Sequence, residues 1–441
     1  MKNYDVIVVG AGPAGLTVCR IAAESGLKVL LADQKKDIPR VTRACCANLI
    51  IEPGTHNETV TLAGGEMVFE HNRFSVPCRG SVIPLTENAR VSPGGEILTI
   101  NGKGPGGTVA LSFEKEHLLQ ELFSQVQKTD AEVLTETQGV KAENTSDGVM
   151  VTLQDRNGRF TVKGKIAVAA DGVNSRIVQS LGLNERKRKF FGRFAVTAYH
   201  VEKVECPYPK AWLTFVGKGH TSGGKGQLYL CPKPYKGAVE PTVYEITCGM
   251  PMVEQSGALT PKQELDYFLT EGPFAQWFRN MTIVDTRAAV LDFHTPLIDP
   301  VEGNVVVVGD AAAFIETYIQ GAVMYGFQAA RAIIKHVSTG TGLQDYAASW
   351  KESFEYNDPE EIKRATQAFG LHILSDEDLD YLFSLTKNDD IRGYLNEFTD
   401  PIVIMNSLAN HIEQLQKERP DLAEILQKFG ETSVEDALQV E

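Results

Sequence analysis

The 441-residue sequence predicts an α/β protein built around a central parallel sheet. Three short aliphatic runs lead to this prediction, because a continuous apolar run suits a strand that is buried on both faces. Each run ends directly in a turn that contains glycine. The runs and their turns span residues 6–15, 165–172 and 304–310. Since ligands bind at the carboxyl ends of parallel strands, the three turns predict one shared binding site.

The first turn, residues 10–15, has the spacing G-x-G-x-x-G. In this motif Gly10 allows the tight turn, Gly12 lets the backbone approach a pyrophosphate, and Gly15 lets the next helix pack closely on the strand. A helix and a second aliphatic strand follow, and that strand stops at Asp33, whose carboxylate suits a ribose diol. This order of elements predicts a dinucleotide site. The alternative is a glycine-rich turn in an ordinary βαβ unit.

Cysteine usage and charge limit the class of protein. Seven cysteines are too few for a disulfide scaffold and are odd in number, so we expect a reducing cytoplasm. The chain enters its first strand without room for a signal peptide, and no run of 18 apolar residues predicts a transmembrane helix. Residues 341–441 hold 8 Lys/Arg and 22 Asp/Glu, which equals the whole net charge of −14. The remainder is neutral, so neither part suits a nucleic-acid backbone.

The third turn starts a segment rich in small residues. Gly309 and Asp310 end a Val-rich strand, and small side chains recur from Ala311 to Gly326. Small residues let a helix lie close to a ligand, and the N–H groups at its start favour negative charge. We therefore predict a helix that begins at this turn, beside the ligand.

Between these turns the sequence predicts smaller elements and a division into three parts. Residues 59–109 and the aromatic-rich stretch 190–250 predict short strands, whereas 114–128 and 261–280 predict helices. We assign 1–58, 110–189 and 285–340 to a cofactor-binding domain, 59–109 and 190–284 to a substrate domain, and 341–441 to an acidic helical C-terminal region.

Together the three turns resemble the FAD-binding motifs of glutathione-reductase-like flavoproteins, in the p-hydroxybenzoate-hydroxylase branch. The middle motif of that branch is Asp-Gly followed by Arg, which matches Asp171, Gly172 and Arg176. The third is Gly-Asp-Ala-Ala, which matches 309–312 and whose Asp meets the ribityl chain. Val140 stands where that fold holds adenine with its backbone. The resemblance covers residues 1 to about 340 and implies a glutathione-reductase-like FAD-binding fold with an inserted β-sheet substrate domain, a helical C-terminal region and non-covalent FAD.

Within that branch the sequence is most similar to the geranylgeranyl reductase family. Arg43-Ala44-Cys45-Cys46 stands where that family has Arg-x-Cys-Gly against the flavin. Tyr229-Leu230-Cys231-Pro232 stands where it has the substrate motif Tyr-x-Trp-x-Phe-Pro. The sequence departs from the family at Cys46, at the missing Trp, and after the third turn, where Thr317 replaces Pro and Gln320-Gly321-Ala322 replaces Gly-x-Gly.

The motifs and the resemblance assign roles to individual residues. Reduction of a C=C bond needs a hydride from the flavin and a proton from an acid. We predict Tyr318 and Glu316 as proton sources, with His294 as a third candidate, and no metal site. Cys45 is a candidate redox partner or proton donor with Cys231 as its distant partner, unless the cysteines only fill space. The predicted cofactor contacts are Gly10, Gly12, Ala14, Gly15, Asp33, Arg43, Val140, Asp171, Gly172, Gly309, Asp310, Gly321 and Ala322.

The resemblance implies an FAD-dependent oxidoreductase that reduces or dehydrogenates a C=C bond of an apolar or prenyl-type substrate. One alternative is an aromatic monooxygenase using FAD, NAD(P)H and oxygen, although its usual motif histidine is replaced by Ala313. Another is an electron-transfer flavoprotein, whose quinone or protein partner could dock on the acidic region 341–441. The sequence contains no second βαβ motif that would bind NAD(P)H. Both NAD(P)H and a protein therefore stay open as the electron donor. The basic run 186–189 beside Phe190 could bind a cofactor phosphate or make a peripheral contact with anionic lipid. The alternative is a solvated basic turn.

Overall fold

A computed structural model describes residues 2–235, 237–252, 258–313, 318–355, 371 and 374–429. The strands are β1 Asn3–Val9, β2 Val29–Ala32, β3 Asn48–Ile50, β4 Val60–Ala63, β5 Glu66–Phe69, β6 Phe74–Pro77, β7 Val82–Leu85, β8 Glu87–Val91, β9 Ile97–Gly102, β10 Ala110–Phe113, β11 Glu132–Leu134, β12 Gln138–Thr145, β13 Gly148–Asp155, β14 Gly158–Ala169, β15 Phe190–Glu202, β16 Ala211–Phe215, β17 Gln227–Tyr235, β18 Ala238–Pro251, β19 Thr282–His294, β20 Val301–Glu302, β21 Val305–Val307 and β22 Arg392–Gly393. The α-helices are α1 Pro13–Glu24, α2 Lys115–Val126, α3 Arg176–Ser180, α4 Leu183–Lys187, α5 Pro261–Thr270, α6 Tyr318–Thr339, α7 Leu343–Ser353, α8 Asp376–Leu385, α9 Asp400–Ala409, α10 Ile412–Glu418 and α11 Pro420–Phe429.

The first sheet, here called the nucleotide sheet, has the strand order β11-β2-β1-β14-β13-β12, with β21 paired to β14 and β20. Strands β1, β2, β11 and β21 run parallel with the second half of β14. The side chains of Val6, Ile7 and Val8 are fully buried, because helices such as α1 and α6 cover the sheet. This arrangement confirms the predicted fold class.

Strand β14 combines two strands that the sequence predicts separately, at 159–162 and 165–170. Its first half pairs antiparallel with β13, and its second half pairs parallel with β1 and β21. One continuous strand therefore joins the predicted hairpin to the central parallel strands.

The second sheet has the order β19-β15-β18-β17-β16-β8-β9-β22. One face packs on α5 through an aromatic cluster that includes Phe215 and Phe268, with ring centroids 4.7 Å apart. On the opposite face, Trp212 and Cys231 pack against the small sheet β3-β10-β7. Since β3 follows the segment after β2, this small sheet joins the second sheet to the nucleotide sheet.

Two predicted helices differ from the structure. The helix predicted over 261–280 ends at Thr270 and is followed by a 3₁₀ turn at Ala275–Phe278. The break falls at Gly272, where a Cβ would lie 2.8 Å from the Phe268 carbonyl oxygen. The helix predicted to start at Gly309 is only a 3₁₀ turn, Gly309–Ala311, and α6 begins later.

Helices α7 to α11 follow α6. An ion pair of 2.8 Å between Arg90 of β8 and Asp400 of α9 joins them to the second sheet. In the described stretches of the chain, none of the helices has the combination of length and apolar character needed to cross a membrane. The three-part division of the chain given above stays a prediction.

Candidate active site

The first glycine turn is built by close backbone contacts. Gly10 has a φ of +101°, and a Cβ there would lie 2.2 Å from the Ala170 carbonyl oxygen. A Cβ at Gly15 would lie 1.9 Å from the Gly10 carbonyl oxygen. Glycine is therefore required at both positions by the fold itself. A Cβ at Gly12 would meet no heavy atom within 4 Å, so this side of the turn, at the N-terminus of α1, is open to a ligand.

Asp33, which follows β2, holds this turn through two hydrogen bonds. Its Oδ2 accepts a hydrogen bond of 2.6 Å from the Ala11 N–H, and its Oδ1 accepts one of 2.7 Å from the Lys35 N–H. The carboxylate therefore orders the loop as well as standing where a ribose is expected. The ribose contact itself stays a prediction.

Val140 lies at a β-bulge in β12. The pairing of β12 with β13 shifts between Gly139 and Lys141, which leaves Val140 without a partner residue in that ladder. A Cβ at Gly139 would lie 2.3 Å from Val9 Cγ1, so the bulge passes close to the end of β1. A backbone contact from Val140 to adenine is compatible with this geometry. The role of Gly139 was missed by the sequence analysis.

The second turn meets the segment that follows β2. Asp171 accepts hydrogen bonds from Ser175 Oγ at 2.5 Å and from the Arg176 N–H at 2.9 Å, and so holds the start of α3. Burial raises the pKa of Asp171 above its ordinary value. Gly172 has a φ of +84°, and its Cβ position would lie 3.2 Å from Arg43 Nη1. The structure thus places Arg43 beside Gly172. Both residues are predicted cofactor contacts.

The third turn packs directly on the first. Gly309 has a φ of +61°, and a Cβ there would lie 3.2 Å from Ala14 Cβ. Gly321 and Ala322 are buried in the first turns of α6. Among the residues that the structure describes, no hydrogen-bond donor reaches the Asp310 carboxylate. A ribityl hydroxyl is the kind of donor that this carboxylate can accept.

Lys115, the first residue of α2, is a site residue that the sequence analysis missed. Its Nζ donates a hydrogen bond of 3.1 Å to Cys45 Sγ. Burial acts to lower the pKa of Lys115, but the nearby Cys45 and Asp310 outweigh it and raise that pKa above its ordinary value. The ammonium group therefore links the cysteine segment to the third turn. A lysine in the first turn of an amphipathic helix is indistinguishable in sequence from a solvated one.

The predicted proton sources that the structure describes lie on different elements. Tyr318 begins α6 with a φ of +50°, and its hydroxyl donates to Glu397 Oε1 at 3.3 Å. Glu316 lies outside the described residues. His294 ends β19, where its ring lies 5.0 Å from that of exposed Phe190. Tyr318, Glu316, His294 and Cys45 all stay predictions as proton sources.

The two adjacent cysteines have different surroundings. All seven cysteines are free thiols. Cys46, and not Cys45, packs in the cluster that contains Cys231 and Trp212, whereas Cys45 packs against the core of the nucleotide sheet. Burial raises the pKa of Cys231 to about 12 and that of Cys46 well above its usual range. A thiol that stays protonated at neutral pH is a poor nucleophile, so the structure favours packing for Cys46 and Cys231. The predicted pairing of Cys45 with Cys231 stays untested.

Three features fit FAD. The open N-terminus of α1 at Gly12 suits the pyrophosphate, the bulge at Val140 suits the adenine, and the Asp310 carboxylate suits a ribityl hydroxyl. The first and third groups lie at the carboxyl ends of β1 and β21, as expected for a dinucleotide in an open parallel sheet, and the bulge in β12 passes close to Val9 at the end of β1.

Comparison with known proteins identifies several with a similar sequence or fold. Residues 4–222 match the family described as pyridine nucleotide-disulphide oxidoreductase. A geranylgeranyl bacteriochlorophyll reductase-like structure from Thermoplasma acidophilum superposes with a TM-score of 0.72 at 20% identity, covering 96% of this chain and 100% of that one. A flavin-dependent brominase superposes with a TM-score of 0.60 at 14% identity, covering 95% and 100%. Both likenesses concern the fold.

Curated relatives are digeranylgeranylglycerophospholipid reductases. The protein of Methanocella arvoryzae is 28% identical over 53% of this chain, and the alignment spans about half, 54%, of that relative. The protein of Methanococcoides burtonii is 22% identical over 89% of this chain and 90% of its own length. Fold and site define an FAD-dependent oxidoreductase. Within that class, the chain is similar to the digeranylgeranylglycerophospholipid reductases and to the geranylgeranyl bacteriochlorophyll reductase-like structure.

Proposed function

We propose that this enzyme reduces a C=C bond of an apolar, prenyl-type substrate. Reduced FAD supplies the hydride when it is bound. The polypeptide binds and orients the substrate, excludes water and provides a proton. The names of the relatives support this substrate class, since each of them is a reductase of a digeranylgeranyl lipid.

The observation that carries the proposal is an apolar face of the second sheet. Val196 of β15 pairs with Gly249 of β18 and with Ala289 of β19, and in the same direction Phe194 pairs with Leu291. These residues share one face, and all of them are half-buried. Apolar side chains that keep partial exposure on one sheet face are compatible with a site for an apolar ligand.

This apolar face is continuous with the cysteine segment. Along the next strands the same face carries Tyr229, which pairs with Thr247. Tyr229 and Cys46 are half-buried and belong to one cluster. A chain-like substrate that lies along the face would therefore reach the segment that the family holds against the flavin.

The proton source and the electron donor are part of the proposal. We assign the proton to Tyr318 or Cys45, with Glu316 as the predicted alternative. NAD(P)H and a donor protein both remain candidates as electron source. Contact with a lipid surface near 186–189 stays a prediction.

The test is an anaerobic reoxidation experiment. Purified protein should release FAD on denaturation, and after photoreduction the bound flavin should be reoxidised by geranylgeraniol or farnesol with a product two hydrogens heavier by mass. Hydroxylation of an aromatic compound with oxygen and NADPH would establish the monooxygenase instead. Reoxidation by quinones alone would establish an electron-transfer flavoprotein.

A further inference from the structure

Glu397 lies in the turn that joins β22 to α9, and its side chain is half-buried. Its Oε1 accepts the hydrogen bond of 3.3 Å from the Tyr318 hydroxyl. Tyr318 begins α6 and is one of the proton sources assigned under the proposed function. The C-terminal region 341–441, in which the sequence analysis assigns no site residue, therefore reaches a predicted acid.

The turn that carries Glu397 is held by hydrogen bonds from within and from outside. The Asn396 carbonyl accepts from the Thr399 N–H at 3.1 Å, and Asn396 Oδ1 accepts from the Phe398 N–H at 3.0 Å. The carboxylate of Glu52, which follows β3, accepts from Asn396 Nδ2 at 2.6 Å and from Thr399 Oγ1 at 2.9 Å. The backbone at Glu397 is therefore fixed on both sides.

The neighbours of Glu397 in the sequence pack into two different parts of the protein. Leu395 packs against the same apolar cluster as Tyr229 and Cys46, where the second sheet meets the small sheet β3-β10-β7. Phe398 is buried in the core of the nucleotide sheet. Glu397 therefore lies at the junction between the second sheet and the nucleotide sheet.

Glu397 also acts electrostatically on Tyr229. Burial is the main cause that raises the pKa of Tyr229, and Cys46 and Glu397 raise it further. Tyr229 stands at the position of the predicted substrate motif, whereas Tyr318 follows the third glycine turn. The same carboxyl group thus lies near a residue predicted to meet the substrate and hydrogen-bonded to a residue predicted to supply the proton.

The chemistry of this pair depends on which oxygen carries the hydrogen. A tyrosine has a single O–H, so Tyr318 cannot give a proton to a substrate while it donates that hydrogen to Glu397. A protonated carboxyl group has an O–H of its own and can donate to the Tyr318 oxygen instead. The hydroxyl hydrogen of Tyr318 is then free for a substrate. A proton on Glu397 therefore converts Tyr318 from a bound donor into an available acid.

We propose that Glu397 is a positioning residue that acts through Tyr318, whose proton it releases and replaces. This inference rests on the proposed function and deepens it. The Tyr318 hydroxyl gives its proton to the alkene carbon that does not receive the hydride, and the Glu397 carboxyl group gives its proton to the Tyr318 oxygen. Reduced FAD supplies the hydride with its electron pair. The Glu397 carboxylate then regains a proton from solvent.

The experiment follows reoxidation of the photoreduced flavin by farnesol in the FAD-loaded full chain, with the product identified by mass. Glu397→Ala removes the carboxyl group and should slow this reaction by about 10²-fold, the lower end of what general acid catalysis contributes. Added acetate should restore part of the rate, because a free carboxylic acid can occupy the vacated space and protonate Tyr318. FAD content and the rate of photoreduction should stay at their wild-type values.

Three further variants separate the relay from a loss of folding. Glu413→Ala removes an exposed glutamate of α10 and should keep the wild-type rate without a response to acetate. Glu397→Asp keeps a carboxyl group and should retain more of the rate than Glu397→Ala. In Glu397→Ala/Tyr318→Phe acetate should restore nothing, because the hydroxyl through which Glu397 acts is absent.

The outcomes separate this inference from the proposed function. A wild-type rate in Glu397→Ala, a slow rate that acetate leaves unchanged, or a rescue by acetate that does not need Tyr318 would each refute the relay and leave the proposed reaction standing. If the wild type binds and photoreduces FAD but does not reduce farnesol, the proposed function fails and the relay fails with it.

Discussion

Lys115 Nζ donates a hydrogen bond of 3.1 Å to Cys45 Sγ, which ties the start of α2 to the segment between β2 and β3. Arg43 of the same segment lies close to Gly172, where a Cβ would be 3.2 Å from Arg43 Nη1, so the segment lies between the helix and the second glycine turn. The contact thus connects the cysteine expected beside the flavin with elements that are predicted to bind the cofactor.

Replacement of Lys115 should change the reactivity of Cys45. An ammonium group stabilises a thiolate over a thiol, so Lys115→Met should slow alkylation of Cys45 by iodoacetamide by about tenfold or more, the effect of one hydrogen bond to a charged group. Peptide mass mapping measures the rate at this cysteine. Lys128→Met, an exposed lysine beyond the other end of α2, is the control and should leave the rate unchanged. An unaltered rate in Lys115→Met would show that the contact does not persist in solution.

Replacing Gly15 should lower the stability of the protein, whereas replacing Gly12 should lower only its FAD content. Gly15→Ala places a Cβ 1.9 Å from the Gly10 carbonyl oxygen, so we expect a strongly destabilised protein. Gly12→Val meets only open space and should leave the thermal midpoint of the apoprotein unchanged, while the new side chain blocks the pyrophosphate. Thermal melts and FAD content measure the two effects separately. A Gly12→Val protein that retains FAD would contradict the assignment of this turn.

The sequence was sufficient to predict that the three turns come together at one edge of the sheet. The reason is physical: buried parallel strands put their carboxyl ends on one edge, and Gly10, Gly172 and Gly309 each need a backbone that only glycine adopts easily. These requirements are local, so they are visible in the pattern of a single chain.

The remaining site residues depend on tertiary structure. Lys115 is a single lysine whose contact with Cys45 depends on how α2 meets the segment before β3, and no local pattern distinguishes it from a solvated lysine. The same holds for Cys46, which turns toward Cys231 because β3 packs on the second sheet. The helix break at Gly272 was missed because the apolar spacing continues through it.

His220 should make the stability of the second sheet depend on pH. Burial lowers the pKa of His220 to about 4, and its ring packs on Phe274 with Nε2 donating to the Val91 carbonyl at 3.0 Å. The folded state keeps the imidazole ring neutral, whereas the pKa of the ring in the unfolded chain is about 6.5. The contribution of His220 to the free energy of unfolding is therefore fully present above about pH 6.5 and is lost as the pH falls toward 4.

The loss between pH 7.5 and pH 5 should be about 2 kcal/mol for this group. Urea unfolding followed by tryptophan fluorescence measures it. In His220→Gln the pH dependence over this interval should shrink by the same amount, whereas the exposed His117→Gln should behave as the wild type. Equal pH dependence in the wild type and in His220→Gln would rule out this origin.

Tyr318 is the predicted proton donor that the structure describes best, and its replacement tests the proposed chemistry. Its φ of +50° is unfavourable for a residue with a Cβ, and such backbone strain often occurs at functional sites. Tyr318→Phe keeps the ring and removes the hydroxyl that donates to Glu397. If Tyr318 is the acid, turnover should fall by about 10²–10⁴-fold, while FAD content and the rate of flavin photoreduction stay unchanged. Cys45→Ser is the matched variant for the other candidate. The variant that loses turnover while keeping its FAD identifies the proton donor. Full turnover in both would leave neither residue a role in proton transfer.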